Sequence, residues 1–207
     1  MKGNKLNILE AGLELYNKHG VTNVSQRTIS DYLKISPGNL TYHFKKKEDI
    51  YEALYFEFVV LIKKRVSDFL HKEISLISFA ILIELWFKDM HHYRFIFIDL
   101  STLIRTNDAI KNNYRRMIEI RKSLFLKIVS ELISIKTIEK EEFQGQYELL
   151  YNRLSIVSDF YLGSTTSEKG EEYLSYCEHS ELFFSAMYPI LTKKGKKEYK
   201  KLFKQKE

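Results

Sequence analysis

A short segment, residues 36–44, combines side chains that can form hydrogen bonds with side chains that can stack on flat rings. Leu40 and Phe44 lie one helical turn apart, so we expect them to anchor a short helix in an apolar core. The positions that then face outward are Asn39, Thr41, Tyr42 and His43. Gly38 has no side chain and lets the backbone approach a partner closely. Side chains of these types near the start of an exposed helix can reach the base edges of double-stranded DNA.

Ser36 and Pro37 mark the start of this short helix. Serine is a favoured N-cap, and proline suits the first helical position because an N–H there has no intrahelical partner. Lys47 lies at the predicted start of the following helix, where backbone N–H groups and an ammonium group can bind one phosphate. The segment therefore predicts an exposed helix followed by a phosphate contact.

Two further helices precede this segment. Apolar residues at helical spacing predict a helix over residues 5–19, ended by Gly20, and Ser25 is the expected N-cap of a second helix that ends near Leu33. Three such helices, with about three residues between the second and the third, are typical of a helix-turn-helix. We therefore predict a DNA-binding domain over residues 1–47.

Residues 29–50, ISDYLKISPGNLTYHFKKKEDI, resemble the N-terminal motif of the TetR (TetR/AcrR-like) family of transcriptional regulators. The matching positions are Ser36, Gly38, Leu40, His43, Phe44 and Lys47, with Ile35 and Ile50 as conservative replacements. The resemblance implies phosphate contacts from His43 and Lys47, and contacts with bases or backbone from the start of the second helix. The full set of predicted DNA-binding residues is Gln26, Arg27, Thr28, Pro37, Gly38, Asn39, Thr41, Tyr42, His43 and Lys47.

Three positions depart from the family motif. Lys34 replaces the turn glycine, and Leu33 replaces a small residue where two helices approach closely. Thr41 stands where the family usually has a DNA-contacting tyrosine, and we expect Tyr42 to take over part of that role. These departures leave a second interpretation open, in which the chain is a helical carrier or adaptor without sequence-specific DNA binding.

The rest of the chain favours long helices, because only 8 Gly and 2 Pro occur among 207 residues. We predict an all-α fold, in which the N-terminal three-helix helix-turn-helix domain is followed by a larger helical ligand-binding and dimerisation domain, about nine helices in total. This second domain would span residues 48–192. Its predicted helices are 47–70, 75–87, 89–104, 108–135, 140–162 and 171–191, with a loop at 163–167.

The resemblance also implies that the last two long helices pack against those of a second copy. Wide apolar faces on these helices agree with a homodimer. The candidate interface residues are Tyr147, Leu150, Leu154, Phe183, Met187 and Leu191. The same faces can instead belong to the core of a single chain, and this alternative stays open.

The resemblance further implies a cavity in the helical domain that binds a small-molecule effector. Aromatic and polar residues of the middle helices are candidates to line such a cavity. The candidates are Trp86, Met90, His91, Phe95, Tyr114, Met117, Arg121 and Tyr151. Aromatic residues at helical spacing are also common in a plain core. The resemblance thus predicts a homodimeric repressor that leaves its operator when the effector binds.

Charge and cysteine content limit the other functional classes. The formal net charge of +6 equals the excess in the tail, residues 193–207, where eight lysines face two glutamates and a frayed, solvated end is expected. A single cysteine, Cys177, rules out an internal disulfide, and no apolar run is long enough to span a membrane, so we expect a cytoplasmic protein. No cofactor, metal-binding or catalytic motif stands out, and we do not expect an enzyme.

Overall fold

The structure, a computed structural model, describes residues 2–170 and 174–203. Its described part contains eleven α-helices, a 3₁₀ turn at Tyr188–Ile190 and no β-strand. The helices are α1 Lys2–His19, α2 Gln26–Leu33, α3 Pro37–His43, α4 Lys47–Leu70, α5 Leu76–His92, α6 Phe95–Ile98, α7 Leu100–Thr106, α8 Asp108–Ser134, α9 Gln146–Lys169, α10 Tyr176–Met187 and α11 Lys193–Phe203. The predicted all-α class is confirmed, with eleven helices rather than about nine.

The single helix predicted over residues 89–104 is wrong. Helix α5 continues to His92, and α6 and α7 follow as separate short helices. The side chain of Asn17 holds the break, since its amide donates to the His92 carbonyl at 2.8 Å and its carbonyl accepts from the Phe95 N–H at 3.0 Å. A residue distant in sequence thus satisfies the backbone groups that a helix end exposes.

Helix α9 runs through residues 163–167, for which the sequence predicted a loop. The Ser167 hydroxyl donates to the Gly163 carbonyl one turn back at 2.8 Å, and the helix ends only at Gly170, where φ is 100°. The prediction of a last long helix over residues 171–191 is also corrected, because α10 begins at Tyr176. Residues 171–173 lie outside the described part of the chain.

The tail is helical where the sequence predicted a frayed end. Helix α11 begins after Thr192, whose hydroxyl accepts from the Gly195 N–H at 3.1 Å. A Cβ atom at Gly195 would lie 2.2 Å from the Thr137 carbonyl oxygen, so only glycine allows this close approach. Phe203 lies 5.5 Å from the ring of Phe184 and anchors the end of the helix. Residues 204–207 lie outside the described part.

The chain forms two compact units. The first combines Met1–Leu61 with His92–Tyr114, and the second combines Ile62–His91 with Arg115–Glu207. Each unit has its own core. Fully buried side chains are Tyr16, Ile29, Leu40 and Ile50 in the first unit, and Phe79, Phe87 and Phe184 in the second. The first unit therefore contains the predicted helix-turn-helix together with residues from the middle of the chain, while a domain boundary near residue 47 stays a prediction.

Candidate DNA-binding surface and ligand cavity

Serine caps fix the starts of α2 and α3. The Ser25 hydroxyl accepts from the Thr28 N–H at 3.0 Å, and the Thr28 hydroxyl accepts from the Ser25 N–H, which completes a capping box. The Ser36 hydroxyl accepts from the Asn39 N–H at 3.2 Å, and Pro37 occupies the first turn. The two helix starts lie where the sequence predicted them, because the caps are local.

The turn between α2 and α3 closes without glycine. Lys34 adopts the left-handed conformation, with φ 55° and ψ 39°, and its N–H donates to the Asp31 carbonyl. The next N–H, from Ile35, donates to the Ser30 carbonyl at 3.0 Å. The left-handed conformation is unfavourable for a lysine, so the turn is formed at a local cost.

Helix α3 presents its predicted outward face to solvent. Its exposed members are Pro37, Gly38, Asn39, Thr41 and Tyr42, while His43 is half-buried. Tyr42 is 77% exposed, which is unusual for a large aromatic side chain. Its ring meets the His43 ring edge to face at 5.2 Å, and a Cβ atom at Gly38 would meet nothing within 4 Å. Leu40 and Phe44 are buried on the opposite face, as predicted.

The three predicted contacts at the start of α2 differ in what they offer. The Gln26 amide donates to the Phe44 carbonyl at 2.7 Å, so it helps to end α3. The Thr28 hydroxyl belongs to the capping box. Arg27 is exposed, with its guanidinium 3.6 Å from the Asp31 carboxylate on the same helix. Of the three, Arg27 carries the charged group best placed to reach a phosphate, and contacts from Gln26 and Thr28 stay predictions.

Lys47 is tied into the first unit. Its ammonium donates to the Val21 carbonyl at 3.2 Å, and its own carbonyl accepts from the Tyr16 hydroxyl at 3.2 Å. An ammonium has three N–H groups, so this bond leaves capacity for a phosphate contact. Lys45 and Lys46 precede it with exposed side chains and are further phosphate candidates. The run of three lysines was the signal in the sequence that could have found them.

Residues from the middle of the chain stabilise the helix-turn-helix. The Asp99 carboxylate accepts from the Val21 N–H at 2.9 Å, in the connector between α1 and α2. Phe95 packs on Tyr16, with their ring centres 5.5 Å apart. The sequence offered Phe95 as a cavity residue, and this is corrected, since its side chain is buried in the core of the first unit.

The second unit contains an apolar cavity of about 80 Å³. Helices α5, α8, α9 and α10 supply most of its wall, including the rings of Phe79, Phe87, Phe125 and Phe183. Of the eight predicted lining residues, Trp86, Arg121 and Tyr151 line it. Met90, His91, Phe95, Tyr114 and Met117 are not part of its wall. The aromatic character of the cavity was therefore predicted better than its individual members.

Arg121 and Asp159 form a buried ion pair beside the cavity. Both guanidinium nitrogens, Nη1 and Nη2, donate to the carboxylate at 2.8 Å, and the side chain of Asp159 is only 3% exposed. The guanidinium also lies 5.6 Å from the ring centre of Trp86. Sequence analysis missed Asp159, although an acidic residue two turns after Tyr151 on the apolar face of α9 was an available signal.

His179, which is not among the site residues predicted from the sequence, is buried in the second unit. Its ring lies between the rings of Phe87 and Tyr161, with centre distances of 3.6 and 4.1 Å. Desolvation by burial lowers the pKa of His179 to about 3, and the neighbouring His91 contributes in the same direction. His179 is therefore neutral in the folded protein near neutral pH.

The six residues predicted for a dimer interface lie in the core of their own chain. Tyr147, Leu150, Leu154, Phe183, Met187 and Leu191 are all buried. The structure thus corrects the interface prediction in favour of the alternative that these faces are intrachain core. Other apolar side chains of α9 and α10 are exposed instead, and they are Leu149, Ile156, Val157, Phe160 and Leu182.

None of the helices in the described ranges is both long and apolar enough to cross a lipid bilayer. Among residues 2–170 and 174–203, no three His, Cys, Asp or Glu side chains come together as a group that could hold a metal ion.

Two family models match the chain. The model of bacterial regulatory proteins of the tetR family matches residues 8–54, and the model of the bacterial transcriptional repressor TetR matches residues 58–199. No curated protein sequence gives a significant match.

Solved structures share the fold over nearly the whole chain. A TetR-family transcriptional regulator from Marinobacter aquaeolei VT8 is 23% identical, with a TM-score of 0.86 over 96% of each chain. A putative transcriptional regulator from Saccharomonospora viridis in complex with choline is 18% identical, with a TM-score of 0.72 over 93% of this chain and all of the other. The ketosteroid regulator KstR2 of Mycobacterium tuberculosis is 16% identical, with a TM-score of 0.70 over 91% and 95% of the chains. Because the larger family model alone spans more than half of the sequence, the protein belongs to the TetR family of bacterial transcriptional regulators.

Proposed function

We propose that this protein is a homodimeric, cytoplasmic repressor that binds operator DNA through α2 and α3 and leaves it when a small effector enters the cavity of the second unit. The observation that carries the proposal is the outward face of α3, with Tyr42 largely exposed and the opposite face anchored by Leu40 and Phe44. This capped seven-residue helix presents polar side chains and a ring on one exposed face, which is the combination that a recognition helix offers to the major groove.

DNA binding needs both base contacts and phosphate contacts. Tyr42, Asn39 and the backbone at Gly38 supply groups for the first, and Arg27, Lys45 and Lys46 supply exposed charges for the second. The caps of α2 and α3 support this reading, because a recognition helix must be held in one orientation before it meets the groove.

Control by a small molecule is supported by the cavity and by the course of one helix. Helix α5 carries Phe79, Trp86 and Phe87 in the cavity wall, and its last residue, His92, belongs to the first unit, where its carbonyl accepts from Asn17. A ligand that moves α5 would therefore act on the end of a helix that is bonded to α1. The S. viridis relative was solved with a small molecule, choline, bound.

Dimerisation is supported by the apolar side chains of α9 and α10 that remain exposed. Ile156 is 63% exposed and Phe160 is 58% exposed, one helical turn apart on α9. Exposed groups of this size on one face mark an interaction surface more often than a solvated one. We propose this face, rather than the buried residues predicted from the sequence, as the contact with a second copy.

Selection from a pool of random duplex DNA tests the proposal. We expect enrichment of a two-fold symmetric sequence with half-sites about one helical turn apart, bound by a dimer. Ile156→Asp with Phe160→Asp is expected to yield monomers that bind the selected duplex much more weakly, while Leu70→Asp, also exposed and apolar, serves as the matched control. Recovery of no preferred sequence by the wild-type protein would instead favour the carrier or adaptor.

A further inference from the structure

The cavity of the second unit has an almost completely apolar wall. Phe79, Trp86, Phe125 and Phe183 supply rings to it, and Ile83 and Ile128 supply aliphatic groups. An apolar wall favours ligands that lose little hydration on entry. The volume of about 80 Å³ is roughly half that of an engineered apolar cavity that holds benzene. Entry of a one-ring molecule therefore requires the side chains of the wall to move apart.

The charges that border the cavity already satisfy each other. Arg121 and Asp159 share two hydrogen bonds of 2.8 Å, and their side chains are 14% and 3% exposed. A ligand carboxylate would compete with Asp159 for the guanidinium, and a ligand ammonium would compete with Arg121 for the carboxylate. Either exchange leaves a buried charge without its partner, which is costly in a site of low polarity.

Neutral polar groups, in contrast, meet suitable partners. The Tyr151 hydroxyl donates to the Ile118 carbonyl at 2.9 Å, and side-chain hydrogen bonding with Ser155 and Arg121 also reaches its oxygen. Ser155 and Ser158 add hydroxyl groups to the same wall. A single hydroxyl or carbonyl on a ligand can therefore be accommodated without disturbing the ion pair.

We propose that the cavity takes a small uncharged molecule with an apolar body and at most one or two neutral polar groups. The inference rests on the proposed function, in which this cavity is the effector site, and it adds the chemical class of the effector. It assigns Arg121 and Asp159 the role of excluding charged molecules rather than of binding them.

Three probes of nearly equal size test this class: benzyl alcohol, benzoate and benzylammonium. Trp86, the only tryptophan of the chain, lies in the cavity wall and reports binding to the full-length protein by its fluorescence. We expect a saturable change with benzyl alcohol and dissociation constants at least about tenfold higher for the two ions. Calorimetric titration of the same samples checks the fluorescence result.

Variants of the ion pair sharpen the test. In Asp159→Asn the guanidinium loses its carboxylate, so benzoate should bind at least about tenfold more tightly than to the wild type. The double variant Arg121→Gln with Asp159→Asn should lose that gain, because no guanidinium is left to bind the carboxylate. Glu148→Gln breaks the more exposed ion pair between Lys122 and Glu148, which joins the same two helices. It should leave the dissociation constants of all three probes unchanged.

Two results would overturn the inference. One is wild-type binding of benzoate or benzylammonium as tight as that of benzyl alcohol, and the other is no Trp86 response to any of the three probes. If Asp159→Asn does not fold, the order of the wild-type affinities for the three probes and the result for the double variant still test whether the cavity prefers uncharged molecules. Operator binding without probe is measured in parallel, since its absence would overturn the proposed function while the ranking of the probes stands on its own.

Discussion

The outward face of α3 and the cavity of the second unit use polar chemistry in opposite ways. On α3, polar and aromatic groups face water around an exposed Tyr42, and serine caps hold the helix. In the second unit the charges of Arg121 and Asp159 are buried and bonded to each other. The first arrangement exposes its polar groups to solvent, and the second buries two charges that hydrogen-bond to each other. The proposed DNA-binding role of α3 and the proposed preference of the cavity for uncharged ligands both rest on this difference.

The largest effect is expected from removing one member of the buried pair. Asp159→Ala leaves the Arg121 charge buried without its carboxylate and should lower the free energy of unfolding by about 3 kcal/mol or more. Urea denaturation measures this. Glu148→Ala, in the more exposed pair with Lys122, should cost less than about 1 kcal/mol. Equal effects of the two substitutions would contradict the contrast between buried and exposed charges.

Acid should destabilise the second unit through His179. Its pKa is lowered to about 3 in the folded protein, so between about pH 6.5 and 3 the unfolded chain binds a proton that the folded chain does not. Stability is full above this window and falls as the pH falls, by up to about 1.4 kcal/mol per pH unit.

His179→Phe keeps a ring between Phe87 and Tyr161 and removes the titrating group. Thermal or urea unfolding measured at several pH values should then show a shallower loss of stability in acid than the wild type shows. An unchanged slope would mean that another group controls the acid response.

A smaller effect is expected where α3 begins. Ser36→Ala removes the hydroxyl that accepts from the Asn39 N–H and should cost about 1 kcal/mol. Because the cap also orients the helix, operator affinity should fall beyond what the loss of folded protein explains. Ser101→Ala, exposed within α7 of the same unit, is the matched control for both measurements. Identical behaviour of the two variants would argue against a role of the cap in binding.

The smallest effect is a gain of stability in the turn. Lys34→Gly relieves the left-handed conformation and should raise the free energy of unfolding by about 0.5–1 kcal/mol. The same change at Lys63, inside α4, should lower it by about 1 kcal/mol. A loss of stability at both positions would show that the Lys34 side chain contributes contacts that outweigh its backbone strain.

The helix starts that could be predicted from the sequence are those fixed by contacts between residues close together in the chain. Ser25, Ser36 and Pro37 set helix starts by contacts within a few positions, so α2 and α3 could be placed from the sequence. The break at His92 depends on Asn17, and the Arg121 side chain in the cavity wall is held by Asp159, which lies 38 positions away. Contacts of this kind require the packed structure, because no local pattern encodes them.

The interface prediction failed for a related reason. An amphipathic pattern identifies the apolar face of α9 but not which apolar residues meet the core of the same chain. Tyr147, Leu150 and Leu154 point into that core, whereas Ile156 and Phe160 stay exposed. A helix with apolar groups on two faces needs two partners, and the sequence alone does not assign them.

The ratio of affinities for the selected operator and for a scrambled duplex tests the central claim most directly. Tyr42→Ala should lower this ratio by about tenfold or more, since Tyr42 is proposed to contact bases. Lys45→Ala should weaken binding to both duplexes alike and reduce the salt slope by about one, as expected for a phosphate contact. An unchanged ratio in Tyr42→Ala, with the protein folded and dimeric, would contradict the assignment of α3 as the element that reads DNA.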